Sequence, residues 1–176
     1  MIPNPPSKQL LLHQLQERIQ STIQDAWFFP QRGTVAGFLG VGPVVIVGRR
    51  PAWSTFSDEG ENRLFYEILG EFGLENAHLT NFLKSRGKRE DPDPPDREVQ
   101  EAFFDEELRI ISPPCLVAPM GDAYNQVSAF LLSKGASVIA RLPQYASMKY
   151  GPERVDRFRT AVEQLANTAR RNGWTR

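Results

Sequence analysis

Short apolar runs alternate with amphipathic segments along most of this chain, and this alternation constrains the fold more than any other feature. Four short runs are typical of strands, and they span 44–47, 78–83, 115–118 and 137–140. The first of them is uninterrupted and apolar, as in a strand that is buried on both faces. Strands that alternate with helices predict a parallel sheet with right-handed crossovers and helices on both faces. The expected fold class is therefore α/β, a three-layer α/β/α sandwich around a four-stranded parallel sheet.

Capping residues and glycines predict where the helices begin and end. Ser7 fits the N-cap of a first helix, whose apolar positions recur at helical spacing up to Ile23. Later helices are expected over 62–72, 96–111 and 122–133, and an amphipathic helix closes the chain. A length of 176 residues predicts a single domain over 1–176. Within it, residues 1–40 form an N-terminal extension of one helix and a glycine-rich loop.

Cysteine and histidine are scarce, and this excludes several kinds of site. Cys115 is the only cysteine, so a disulfide framework, a multi-cysteine zinc site and a cysteine-ligated iron–sulfur cluster are ruled out. The two histidines, His13 and His78, are too few for a histidine-rich metal site. We therefore expect no metal and no cofactor. Without an apolar run of about 18 residues or a signal-peptide pattern, the expected location is the cytoplasm, and a monomer is the default.

The formal net charge is zero, but the charges are unevenly distributed along the chain. Residues 58–107 carry a net charge of −9, whereas residues 141–176 carry +5. Such an uneven distribution of charge indicates more about binding partners than the total net charge does. Solvated helix faces are the simpler interpretation. The alternative is a basic functional edge, with the acidic 58–107 helices pointing away from it.

The loops that follow the predicted strands combine basic and aromatic residues. Because the carboxyl ends of parallel strands meet at one edge of a sheet, these loops are expected to converge there. Cations neutralise phosphates and aromatic rings stack on unpaired bases, so this edge predicts binding of DNA or a nucleobase. The residues concerned are Arg49, Arg50, Trp53 and Phe56 after the first strand, Lys84, Arg86 and Lys88 after the second, and Tyr145, Lys149 and Tyr150 after the fourth.

Five sequence elements also occur in an order and spacing that match a known family. They are Gly48-Arg-Arg-Pro51 after the first strand, the helical segments 61–65 and 68–74, Thr80-Asn-Phe-Leu-Lys84, Val117-Ala-Pro-Met-Gly121, and the loop over 142–150. Over about residues 43–150 the chain resembles the uracil-DNA glycosylase superfamily. The resemblance implies a uracil-DNA glycosylase-like fold, a DNA partner and excision of a damaged base in DNA repair.

The resemblance also implies roles for individual residues. Pro51 matches the proline of the first motif. Asn81 corresponds to the asparagine that reads the base edge in some branches, and Phe56 or Phe65 to the aromatic residue that stacks on the flipped base. In the family, the first-motif loop carries an Asn, Asp or Glu that orients the attacking water, and the last loop carries a histidine near the uracil O2. Here those positions hold Arg49 and Arg50, and Pro143.

These departures affect the predicted chemistry. An arginine is always protonated and cannot act as a general base, although Arg49 can hold a phosphate or a leaving-group oxygen. Asp58 or Glu59 is a candidate replacement for the water-activating carboxylate. Tyr145, Ser147 and Lys149 are candidates to replace the lost histidine.

Three functions therefore stay open at this stage. The first is a hydrolase of the glycosylase type that acts through altered groups. The second is an inactive relative that only binds nucleic acid or a nucleotide. The third is a small-molecule or protein-interaction module on the same scaffold, since fold does not fix function. Simpler roles are also open for single residues: exposed loop arginines for Arg49 and Arg50, a turn-stabilising side chain for Asn81, and packing for Cys115.

Overall fold

A computed structural model describes residues 5–54, 56–111, 116–135 and 138–175. It is a mixed α/β structure with an open, all-parallel sheet. Three full strands are paired in the order β2-β1-β3. They are β1 (Val44–Gly48), β2 (His78–Asn81) and β3 (Leu116–Pro119). The helices are α1 (Lys8–Thr22), α2 (Gly60–Glu71), α3 (Arg97–Ile111), α4 (Ala123–Ser133) and α5 (Pro152–Arg171), with 3-10 turns over Gly37–Leu39 and Tyr145–Tyr150.

The predicted fourth strand is not present as a full strand. Val138–Ile139 pairs in parallel with Leu116 and Val117 of β3. Ser137 lies outside the described residues, and beyond Ile139 the N–H groups of Ala140 and Leu142 donate to the β3 carbonyls of Val117 at 2.9 Å and Pro119 at 3.0 Å. The predicted four-stranded sheet is therefore confirmed only in part: three strands are full, and the fourth is a short pairing along β3. Cys115 also lies outside the described residues, so the expectation of a packing role stays a prediction.

The side chains of β1 alternate between two apolar clusters, as those of a strand covered on both faces must. Val44 and Ile46 pack in one cluster with residues of α2 and α5. Val45 and Val47 pack in the other with residues of α3 and α4. Leu12 of α1 joins this second cluster. Helices therefore cover both faces of the sheet, and the five residues of β1 are all buried.

The boundaries of the helices follow local chemistry. The Ser7 hydroxyl accepts a hydrogen bond from the Leu10 N–H at 3.2 Å, which confirms the predicted N-cap. Helix α2 begins at Gly60, two residues before the predicted start. Within the described ranges, every helix is too short or too polar to pass through a lipid bilayer.

The register of the sheet brings the strand ends together. Gly48, the last residue of β1, pairs with Asn81, the last residue of β2. On the other side of β1, Val47 pairs with Pro119 at the end of β3. The segments that follow all three strands therefore leave the sheet at the same edge.

Candidate functional site

A cleft of about 930 Å³ opens at this edge of the sheet. Its volume falls in the range of small-molecule binding sites. The walls come from the segments after β1, β2 and β3 and from the 3-10 turn over Tyr145–Tyr150. Ten of the predicted site residues line it: Arg49, Arg50, Pro51, Trp53, Phe56, Asn81, Arg86, Lys88, Tyr145 and Lys149.

Asn81 lies in the wall of this cleft where β1 and β2 end. Its side chain is only 5% exposed, and its Nδ2 has no hydrogen-bond partner among the described residues. Its Oδ1 lies against the backbone of Gly48, where a Cβ would overlap it. A buried amide donor without a partner is costly, so such a group is a candidate for binding a ligand.

Replacing Gly48 by alanine is expected to destabilise the protein and displace the Asn81 side chain. The added methyl group would overlap Asn81 Oδ1, and overpacking of this kind typically costs about 1–3 kcal/mol. Thermal denaturation measures the effect. Gly70→Ala is the matched control, because Gly70 lies in α2 and the nearest atom to an added Cβ is 4.0 Å away. Equal melting temperatures for the two variants would contradict the close approach at Gly48.

Aromatic side chains form another wall of the cleft. The Tyr145 ring stacks on the Phe65 ring with centroids 4.7 Å apart and planes 24° apart, and the Phe56 centroid lies 6.3 Å from that of Tyr145. Phe65 is 0% exposed and does not line the cleft, so it cannot stack on a bound base. Of the two residues predicted to stack on a base, only Phe56 lines the cleft, together with Tyr145. Trp53 is 57% exposed at the mouth.

Two tyrosines, the buried Tyr66 and the half-buried Tyr145, are expected to make the fold sensitive to alkali. Burial raises the pKa of Tyr145 to about 12 from 10.0, the Glu61 carboxylate adds to the rise and Arg32 opposes it. Burial also raises the pKa of Tyr66 well above its usual value. A raised folded-state pKa gives stability that is complete below pH 10 and is lost as the pH rises towards 12.

The unfolding free energy measured from neutral pH to about 12 should therefore fall steeply above pH 10. The Tyr145→Phe variant should lose part of that slope. Tyr150→Phe, at a tyrosine that is 75% exposed, is the control and should keep it. An identical slope in all three proteins would refute the burial of a neutral phenol at Tyr145.

Arg50 holds two loops together. Its guanidinium donates to the carbonyl oxygens of Arg86 at 2.9 Å, Ser85 at 3.4 Å and Pro92 at 3.4 Å. It also lies so close to Gly87 that a Cβ there would overlap it. Arg50 therefore fixes the loop after β2 against the loop after β1, and its donors are engaged by backbone rather than presented to a phosphate.

Arg49 is surrounded by acceptors of its own chain. Its Nη1 donates to the Arg89 carbonyl at 2.8 Å and lies 3.6 Å from Asp122 Oδ2, while its Nη2 lies 3.9 Å from Asp93 Oδ1. Its Nε is buried without a partner among the described residues. A ligand oxygen in the cleft would have to compete with two carboxylates for this guanidinium.

The charge distribution predicted that the acidic 58–107 segment points away from the site. In the structure, part of this segment lies at the site. Asp93 reaches Arg49, and Glu61 lines the cleft. Asp122, which follows β3, pairs with Arg49 and also lies 3.4 Å from Arg89 Nε. Much of the positive charge at this edge is therefore neutralised locally, because the loops fold onto each other with opposite charges in contact.

Three other predicted residues lie away from the cleft. Lys84 is 1% exposed and forms an ion pair with Glu107 of α3 at 2.7 Å, so a DNA contact does not fit its position. Asp58 points outwards, with its side chain 88% exposed, and pairs with Arg32 at 2.7 Å. The Ser147 hydroxyl donates to the Gln144 carbonyl at 2.7 Å. Neither Asp58 nor Ser147 is part of the cleft wall.

Lys88 and Lys149 remain as cations that face the cleft. The Lys88 side chain forms no ion pair in the part of the chain that the structure describes. Lys149 Nζ lies 5.1 Å from the Tyr150 ring centroid. Arg86, by contrast, donates to the Ala52 carbonyl at 2.7 Å and thereby ties the loops after β2 and β1 together.

Sequence reasoning did not single out several polar residues of the cleft, among them Glu61, Asp122 and Gln144. Asp122 lies three residues after the end of β3, in the loop that leads into α4, and this position was the signal available for it. Gln144 lies beside Gly121 and follows Pro143, the position compared with the family histidine. Among the described residues, no group of three or more histidines, cysteines and carboxylates is placed to hold a metal ion. No protein-family model matches the chain, and no curated protein matches it.

Proposed function

We propose that this chain is a uracil-DNA glycosylase-like protein that binds a nucleobase of DNA in the cleft. The observation that carries the proposal is the Asn81 side chain, which is buried in the cleft wall with an unpaired Nδ2 donor. An amide donor in such a place pairs with a carbonyl oxygen on a base edge. The bases it fits are keto bases such as uracil, xanthine and hypoxanthine.

The aromatic wall supports the same proposal. Phe56 and Tyr145 line the cleft together with Asn81, so one site offers ring faces and an edge-reading amide. Base–aromatic stacking contributes about 1–3 kcal/mol per base. A volume near 930 Å³ is ample for a base with its sugar.

The positions of the sequence motifs give further support. Gly48-Arg-Arg-Pro51, Asn81 and Gly121 come from three of the five elements that resemble the superfamily, and all line this cleft. Helices on both faces of a parallel sheet agree with the α/β/α sandwich that the resemblance implies. The site also lies where ligands bind in open α/β sheets, outside the carboxyl ends of the strands.

Contacts to phosphate are expected to be few. Lys88 and Lys149 come from different loops and face the cleft, whereas Arg49 and Arg50 are engaged within the protein. Each neutralised phosphate adds about 0.9 to the slope of log affinity against log salt on duplex DNA, and about 0.7 on single strands. Binding to a single strand should therefore depend on salt with a slope of only about −1 to −2.

Excision of the bound base is the second candidate function, and Glu61 is the observation that favours it. Cleavage of the glycosidic bond needs a positioned water and stabilisation of charge on the leaving base. Glu61 lines the cleft, and its carboxylate forms no ion pair within the described ranges. Asp58 is bound to Arg32, so Glu61 is better placed to orient a water.

Single-stranded oligonucleotides that carry one uracil, xanthine or hypoxanthine test the two candidates in one assay. Fluorescence anisotropy measures binding, and scission at abasic sites measures excision. Tight binding without abasic product supports a binding protein, and product that disappears in Glu61→Gln supports a glycosylase. Equal affinity for all three oligonucleotides and for one with an abasic analogue at that position would overturn the proposal.

A further inference from the structure

A fully buried polar network lies directly behind Asn81. Lys84 Nζ lies 2.7 Å from Glu107 Oε1 and donates to Thr80 Oγ1 at 2.8 Å. Glu107 Oε2 accepts from Thr80 Oγ1 at 2.8 Å and lies 3.3 Å from His78 Nε2. Lys84, Glu107 and His78 are each 1% exposed or less. The network therefore joins β2 to the middle of α3 without contact with solvent.

The Lys84 ammonium also donates to the backbone carbonyl of Asn81. The backbone just beyond is held as well, because the Gln100 side-chain oxygen accepts from the N–H groups of Lys84 at 2.7 Å and Ser85 at 3.1 Å. Residues 81–85 are thus fixed from the side of α3. Asn81 itself is among the residues that line the cleft.

Burying these charged groups costs free energy, so stability alone does not explain the network. Burial lowers the pKa of Lys84, and Glu107 opposes that shift. Burial acts to raise the pKa of Glu107, but Lys84 and His78 hold that pKa below its ordinary value. Buried ion pairs can often be replaced by apolar residues without loss of stability, so their presence calls for another explanation.

We propose that Lys84 is a positioning residue, which, held by Glu107, fixes the Asn81 carbonyl and thereby aims the Asn81 amide into the cleft. Lys84 itself never touches the ligand. The expected effect of Lys84 on base binding rests on the proposed function. The order of the Asn81 side-chain amide does not, because it is a property of the free protein. The two ideas can therefore fail separately.

Two variants isolate the contact between Lys84 and Asn81. Glu107→Gln keeps an acceptor for Thr80 and keeps the Lys84 donor. The double variant Lys84→Met/Glu107→Gln removes the donor and the buried charge together, so no unpaired ion remains in the interior. Thermal melting establishes that each protein is folded. The order of the Asn81 side-chain amide is then measured by ¹⁵N relaxation in the free protein, with Asn81→Ala to assign the signal.

We expect an ordered amide in the wild type and in Glu107→Gln, and a mobile amide in the folded double variant. The preference for a uracil oligonucleotide over its abasic analogue should fall at least about tenfold in the double variant. An equally ordered amide in the double variant would overturn the positioning role, whatever the binding result. If the wild type also shows no preference for the uracil oligonucleotide over its abasic analogue, the proposed function is overturned. The ¹⁵N relaxation of the Asn81 amide then still decides whether Lys84 is a positioning residue.

Discussion

Replacing Glu107 by alanine is expected to lower the free energy of unfolding by about 3–5 kcal/mol, because it leaves the Lys84 ammonium buried without its counter-ion. Glu107 is 0% exposed, and its carboxylate is shared by Lys84, Thr80 and His78. All three partners lose an acceptor at once.

Urea denaturation of the two proteins at neutral pH measures this loss. Glu106→Ala is the matched control, since Glu106 is the neighbouring residue of α3 and pairs with Arg18 at 2.6 Å at the surface. A surface pair contributes at most about 1 kcal/mol. Similar unfolding free energies for the Glu106 and Glu107 variants would contradict the buried network.

Replacing Asn81 by alanine is expected to weaken binding of a uracil oligonucleotide by about 10- to 100-fold. The estimate corresponds to about 1–3 kcal/mol for a hydrogen-bonding group removed from a buried site. Binding of the abasic analogue should hardly change, because that analogue offers no base edge to the amide. The hydrogen bond from Lys84 goes to the backbone of Asn81 and survives the substitution.

Anisotropy titrations with both oligonucleotides provide the measurement. Asn125→Ala is the control, because Asn125 is an exposed asparagine of α4 away from the cleft. The unpaired amide in the wild type is a cost to the fold, so Asn81→Ala should be folded and at least as stable. Unchanged affinity for uracil in a folded Asn81→Ala protein would remove Asn81 from the site.

The elements with a strong local pattern could be predicted from the sequence. The apolar run of β1 and the capping serine of α1 are confirmed, because burial on both faces and capping depend on residues close in sequence. The last strand is confirmed only in part. Its apolar run is short, and pairing at the edge of a sheet depends on how far the neighbouring strand extends, which no local pattern reveals.

The convergence of the loops could be predicted, but the partners of their charges could not. Arg49, Asn81 and Tyr145 do line one cleft, as the carboxyl ends of a parallel sheet require. Arg50 and Lys84, however, are bound to backbone and to Glu107, which lies 23 positions further along the chain than Lys84. A side chain that follows a strand can turn inwards or outwards, and only long-range contacts decide which. The sequence therefore overstated how much positive charge is available to a ligand.

The central claim is that the Asn81 amide reads a base edge in the cleft, and one spectrum tests it most directly. The side-chain amide resonances of ¹⁵N-labelled protein are followed while a single-stranded oligonucleotide with one uracil is added, and again with its abasic analogue. The account predicts that the Asn81 amide signal shifts with the uracil oligonucleotide and stays in place with the analogue. An Asn81 signal that does not move while uracil oligonucleotide is bound would contradict it.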